Sequence, residues 1–161
     1  MSLILSDTTH DGALLSAALK SVRKHRGLST TEVAGAMNMP LRTYERFEAG
    51  ETRLNLDHIH RFATATRSDA HAILLAVAAG SPELARRCAD NQLGTILLIA
   101  LQRFDLTMGD AIQSLEAREV ITAVIGLFDG LSAATSGKDV AADWIAEGAS
   151  RLRDKRPRPG R

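Results

Sequence analysis

"GLSTTEVAGAMNMPLRTYERFEAGETRL", residues 27–54, decides how this chain folds. Within it, Leu41 to Glu48, "LRTYERFE", alternates bulky and charged residues, much as an edge strand would. Its brackets argue otherwise. Pro40 is tolerated where a helix starts, and Gly50 is a natural C-cap. A strand between them would also have no partner nearby. On a helix turning about 100° per residue, Tyr44 and Phe47 share one side, with Leu41 near its edge. Arg42 and Arg46, four apart, share a face that points away from Tyr44. Thr43 and Glu45 flank them. The pattern predicts a short helix over about 40–49 with an apolar back and a two-arginine front.

Two arginines on an exposed face are ordinary surface in isolation; their neighbours give them meaning. Ser29 followed by Glu32 is a capping-box pattern, opening a helix that carries Val33, Ala34 and Met37 and ends near Asn38. Upstream, Leu15, Ala18, Leu19 and Val22 recur at helical spacing, predicting a helix over about 13–26. Gly27 closes it, with Lys24, His25 and Arg26 where positive charge suits the helix dipole. Downstream, helices are predicted over about 56–66 and 69–79. Gly80-Ser81-Pro82 is a break and the expected domain boundary. A long helix is then expected over about 82–104. Thr107 with Asp110 resembles another helix start, and helical pattern continues to about residue 134. Ser136-Gly137 marks a loop, and a last helix carries Val140, Trp144 and Ile145. The chain thus divides into a flexible leader (1–12), a five-helix head (13–80), a helical dimerisation or interaction module (81–152) and a basic disordered tail (153–161), in which "RPRPGR" cannot stay helical. No internal repeat and no convincing strand is found. The fold class is all-α.

Composition agrees. Aromatics make only 4% of 161 residues, so the core must come from Leu, Ile, Val and Ala, which favours helices. A single cysteine, Cys88, rules out an internal disulfide framework and fits a reducing cytoplasm. No basic region precedes Leu3-Ile4-Leu5, so no secretory signal is expected. The apolar runs "AILLAVAA" (72–79) and "ILLIAL" (96–101) fall short of the roughly 20 residues that span a bilayer; they read as buried helix segments, and no membrane partner is expected. The net charge of +1 conceals a division: residues 14–80 carry +3, 81–149 carry −5 and 150–161 carry +5.

A longer helix, a short capped helix, a tight turn, an arginine-fronted helix and two more helices form the order of a helix-turn-helix domain, whose second helix enters the DNA major groove. Residues 14–79 resemble the five-helix, lambda-repressor-like DNA-binding domain of the phage repressor and Cro type, the XRE-like family. The residues that carry the resemblance are Gly27-Leu28-Ser29, Ala34, Asn38 in the place of a glycine-like turn, and Glu48-Ala49-Gly50. The resemblance implies that Leu41, Arg42, Thr43 and Arg46 face the bases, while Thr30, Thr31 and Arg53 contact phosphates. It also implies that Arg23 pairs with Glu48, which the helical wheel turns toward the core. Pro40 departs from the family's Ser/Thr cap. Leu41 is apolar where a polar reader is common; it either touches a thymine methyl or folds back onto the core. Glu45 either accepts from a cytosine amino group or pairs with Arg42.

One such domain contacts about one half-site, so a homodimer on double-stranded DNA is expected. Leu93, Ile96, Leu97, Val120, Ile121 and Val124 are among the residues available for a helical core or interface. An alternative is an adaptor, binding RNA polymerase or a co-regulator, or acting as an antitoxin-like module, in which the second half does the main work. The tail arginines either add salt-sensitive phosphate contacts or only solubilise. No enzyme is expected: Cys88 has no signature around it, His58 and His60 diverge on a helix, and no phosphate loop or Gly-x-Ser-x-Gly is present. No cofactor or metal is expected, and the expected location is cytoplasmic.

Overall fold

The computed structural model describes residues 8–154. The chain runs α1 (Thr8–His25), α2 (Thr30–Ala36), α3 (Leu41–Glu48), α4 (Leu56–Thr66), α5 (Ala70–Ala78), α6 (Glu83–Arg87), α7 (Leu93–Met108), a 3-10 segment (Gly109–Ser114) and α8 (Ala117–Asp154). Among the described residues there is no strand. One compact unit ends at Thr107 and a second begins at Met108.

In the first unit, α1 is the axis. Leu15, Ala18, Leu19 and Val22 are buried along it, as their spacing predicts, against Val33, Ala34 and Met37 of the α2 segment, Tyr44 and Phe47 of α3, and Ile59 and Phe62 of α4. Few but central aromatics hold this core: Phe47 meets Phe62 edge-on at 6.3 Å and lies 6.2 Å from Tyr44. The helix starts at Thr8 rather than near residue 13, so the expected flexible leader is helical from residue 8. Asp11 in the first turn suits the dipole. Gly12 meets Gly50 so closely that a Cβ on either would overlap the other's backbone, and Gly50 at φ +73° also needs glycine's freedom to end α3.

The break expected at 80–82 does not end this unit. α6 packs on α1 and α5, with Ala85 buried and Ser21 Oγ donating to Glu83 at 2.9 Å. The single helix expected over 82–104 is instead two helices. Gln92 takes a left-handed conformation, φ 56°, and the Asn91 side chain accepts from the Leu93 N–H at 3.0 Å. Tertiary contacts outweigh helical periodicity here. Arg26 donates to Thr66 O (2.9 Å), Arg67 O (2.6 Å) and Asp90 (2.7 Å), fastening the α6–α7 connection to the ends of α1 and α4.

Asp69 fastens the start of α7. Its buried carboxylate caps α5, accepting from the His71 and Ala72 N–H groups at 3.0 and 3.3 Å. It also accepts from the Thr95 N–H (3.0 Å) and hydroxyl (2.7 Å), so one carboxylate serves two helix N-termini. Gly94 lies against the backbone of Ala72 with no room for a Cβ. Burial alone would push the Asp69 pKa up; the bonds from Thr95, Ala72 and His71 outweigh it and hold the group below its ordinary 3.8. A depressed folded pKa contributes stability above the unfolded value and loses it as pH falls through the folded one. Asp69→Ala is therefore expected to lower unfolding free energy by about 2–3 kcal/mol at pH 7. Urea titrations should show the gap to the parent shrinking as pH falls below about 4.

In the second unit, α8 is one helix of 38 residues, running through the loop expected at Ser136-Gly137. A helical glycine costs only about 1 kcal/mol, too little to break it. Ile96 and Ile99, in the run read as a buried helix segment, are exposed, and so are Val124 and Phe128 of α8. Residues 117–136 are, by length and hydropathy alone, apolar enough to cross a membrane. Asp129 interrupts that stretch, at a cost of about 2.5–3.5 kcal/mol near a bilayer centre. Residues 155–161, most of the expected basic tail, lie outside the described residues.

Candidate nucleic-acid interface

The interface is built from α2, α3 and the turn between them. Ser29 caps α2 reciprocally: its hydroxyl accepts from the Glu32 N–H at 3.2 Å, and its own N–H donates to the Glu32 carboxylate at 2.7 Å. These bonds hold the Glu32 pKa below its usual value. Thr30 and Thr31 are the first two residues of α2, where backbone N–H groups lack intrahelical partners and point out of the helix end. Asn38 turns the chain in the left-handed region, φ 51°, and the Met39 N–H donates to Ala34 O at 2.9 Å. Pro40 stands at the N-cap of α3 with no side-chain bond, and its carbonyl accepts from Thr43 and Tyr44 at 2.9 and 3.0 Å.

α3 divides by face. Tyr44, Phe47 and Glu48 are buried, while Leu41, Arg42, Thr43, Glu45 and Arg46 are exposed. Leu41 is 41% exposed and outside the core, so the reading in which it folds inward is not the one the structure adopts. Arg42 and Glu45 do not pair: among the described residues neither makes an ion pair, and Arg46 has only a loose, solvent-exposed contact with Glu51 at 3.6 Å. Such a pair contributes little and is readily exchanged for another anion. Arg53 is exposed in the loop between α3 and α4.

Beneath this face lies a buried charge cluster. Arg23 donates from Nε and Nη2 to the two oxygens of Glu48, both at 2.8 Å, and from Nη1 to Leu28 O at 3.0 Å. The Tyr44 hydroxyl also donates to Glu48. The guanidinium pKa is raised, chiefly by the bonds to Glu48; the Tyr44 hydroxyl is pushed well above its usual range by burial and by the same carboxylate. The cluster ties α1, the α1–α2 loop and the end of α3 to one another, fixing the axial position of the arginine face.

Two supports were not found in the sequence. Arg61 of α4 donates to the carbonyls of Met37 and Asn38, clamping the turn between α2 and α3. Its only sequence signal is the four-residue spacing to Asp57, with which it pairs at 3.6 Å. His58 packs edge-on against Phe47, ring centroids 5.5 Å apart, and its Nδ1 is buried without a hydrogen-bond partner. His60 turns elsewhere, meeting His71 at 5.3 Å. Cys88 is buried, and desolvation pushes its thiol pKa up. Among the described residues, no group of three or more His, Cys, Asp or Glu is placed to hold a metal ion.

No curated protein and no solved structure matches the chain. A family model described as a helix-turn-helix domain does match it, over residues 14–75, the span of α1 to α5. With two helices joined by the Asn38 turn, an arginine-fronted second helix and a conforming five-helix frame, residues 14–75 of this chain are a helix-turn-helix domain.

Proposed function

We propose that this protein is a sequence-specific transcriptional regulator that binds double-stranded DNA as a homodimer, each copy reading one half-site through α3. The carrying observation is the division of α3: its inner face is locked by Tyr44, Phe47 and Glu48, while Arg42 and Thr43 are exposed and uncommitted and Arg46 is only loosely paired. A rigid helix offering one unpaired and one loosely paired guanidinium fork suits the O6 and N7 acceptors of guanine in the major groove. Leu41 at the leading end suits a thymine methyl. Thr30, Thr31 and Arg53 supply phosphate contacts, which position without specifying. The reading places the protein in the cytoplasm and assigns it no catalytic role and no cofactor. It rests on likeness to the XRE-like family as well as on geometry.

Selection of bound sequences from random duplexes by the full-length protein tests it. A two-fold symmetric motif with half-sites about one helical turn apart supports the reading; no enrichment over an unrelated protein sinks it. The exposed apolar surface of α7 and α8 favours a second reading, an adaptor that hands RNA polymerase or a co-regulator to the DNA. A chain ending at Thr107, not at residue 81, separates the two, because α6 and the Asp69–Thr95 contact belong to the head. Under the adaptor reading that truncation keeps its DNA affinity and loses only regulation.

A further inference from the structure

A left-handed backbone is unfavourable for most residues, whereas glycine takes it freely and asparagine tolerates it. Glycines and Asn38 hold it in this chain, as those preferences require. Among the described residues only Arg67 and Gln92 hold it with a long side chain, at φ 51° and 56°. Arg67 ends α4, and Gln92 immediately precedes α7. Both line one cleft of about 490 Å³ between α4, α5 and the α6–α7 connection, within the first unit. Glycine would serve either turn at lower cost, so the side chains need another reason to be there. Packing does not supply one. Only their backbones are bonded: Arg67 O accepts from Arg26, and Gln92 O accepts from the Ile96 N–H. The Arg67 guanidinium and the Gln92 amide are exposed, and neither has a partner among the described residues.

The carboxylates of the cleft are committed elsewhere. Asp69 accepts its four bonds from His71, Ala72 and Thr95, and Asp90 pairs with Arg26 at 2.7 Å. Arg67 is thus a free positive charge in a cleft whose negative charges are already satisfied. His60 and His71 meet edge-on at 5.3 Å and form an aromatic wall, with the His71 ring held at 2.9 Å by the Thr95 hydroxyl. A guanidinium fork matches the two oxygens of a carboxylate, and the Gln92 amide adds further donors. One positive charge balances one carboxylate, whereas a phosphate monoester carries nearly two negative charges. The volume falls within the roughly 300–1,000 Å³ of small-molecule sites. We propose that this cleft binds a small organic carboxylate, its oxygens on Arg67 and Gln92 and its body against the His60 and His71 rings. Such a ligand joins the end of α4 to the start of α7, the junction that Arg26 and Asp69 also fasten. The site uses none of the residues assigned to DNA and does not depend on that assignment.

The test titrates the full chain, without DNA, with sodium benzoate, a carboxylate whose ring can lie against the two histidines. Sodium chloride keeps ionic strength constant, and inorganic phosphate is run in parallel. NMR follows the Arg67 and Gln92 side-chain signals and the His60 and His71 ring signals. The expected result is a saturable shift of these signals by benzoate, half complete between roughly 0.1 and 10 mM. Arg67→Gly should weaken that binding at least about tenfold. The same variant should unfold at the parent's midpoint or about 2–4 °C above it, because glycine relieves the left-handed residue. Loss of binding in a chain that is no less stable separates a ligand contact from a structural one. Four results overturn the proposal: no saturable shift of these signals by benzoate, binding unchanged in Arg67→Gly, a lowered midpoint for that variant, or tighter binding of phosphate than of benzoate in the cleft. Benzoate binding by a parent that enriches no DNA sequence would leave this inference standing and remove the proposed function.

Discussion

Under the proposed function, Arg42→Ala combined with Arg46→Ala is expected to abolish selective DNA binding and to leave the fold intact. Each arginine that reads a base bidentately contributes about 1–3 kcal/mol of discrimination, so each single change should weaken binding to the selected site by about 5- to 150-fold. The double variant should fall to the affinity for unrelated duplex. Structure predicts the second half of the result as firmly as the first. Both side chains are exposed and take no part in the cluster that holds α3, so thermal unfolding should shift little. Fluorescence anisotropy against the selected and a scrambled duplex, across a salt series, separates the terms. Loss of a base reader lowers affinity for the selected site alone, whereas Arg53→Ala should weaken both duplexes alike and flatten the salt slope by about one unit. If both arginine variants hold the selected duplex as tightly as the parent, α3 does not read DNA through this face.

The second large effect lies beneath that face. Glu48→Ala is expected to lower unfolding free energy by about 3 kcal/mol, because it removes the acceptor shared by the partly buried Arg23 guanidinium and the buried Tyr44 hydroxyl. Arg23→Ala should cost a similar amount by leaving the Glu48 carboxylate buried without its bidentate partner. Removing both should cost less than the sum, since neither charge is then left alone. Replacing the pair by apolar side chains of similar length, Arg23→Met with Glu48→Leu, should recover most of the loss. Urea unfolding of the parent, the two single variants and the double alanine variant closes the cycle. Additive losses would mean that the pair is not coupled as the 2.8 Å geometry implies. The apolar double variant should still bind DNA less well than the parent if the charge cluster, beyond stabilising the fold, sets the axial position of α3.

Much of the head was legible because its signals are local. The Ser29–Glu32 box, the Asn38 turn, the Gly50 cap and the spacing of Tyr44, Phe47 and Glu48 act within one or two helical turns, so residue order alone carries them. The Arg23–Glu48 pair, 25 residues apart, was reached only through resemblance to a known family. Arg61 was missed because its partners are backbone carbonyls, which no side-chain pattern reveals. The split of residues 82–104 into two helices was missed for a related reason. Its periodicity is helical throughout, and the break is held by Arg26 and Asp69, residues far away in the chain.

By itself, the sequence determined that the chain is helical, where the helix-turn-helix lies and which side of α3 faces outward, because capping and amphipathic spacing are local properties. Only the tertiary structure decided how far the head extends and how the start of α7 is anchored, through Asp69 and Thr95. Hydrophobic pattern records that a surface must be buried. It does not record against what, since burial within one chain and burial between two follow the same transfer free energy.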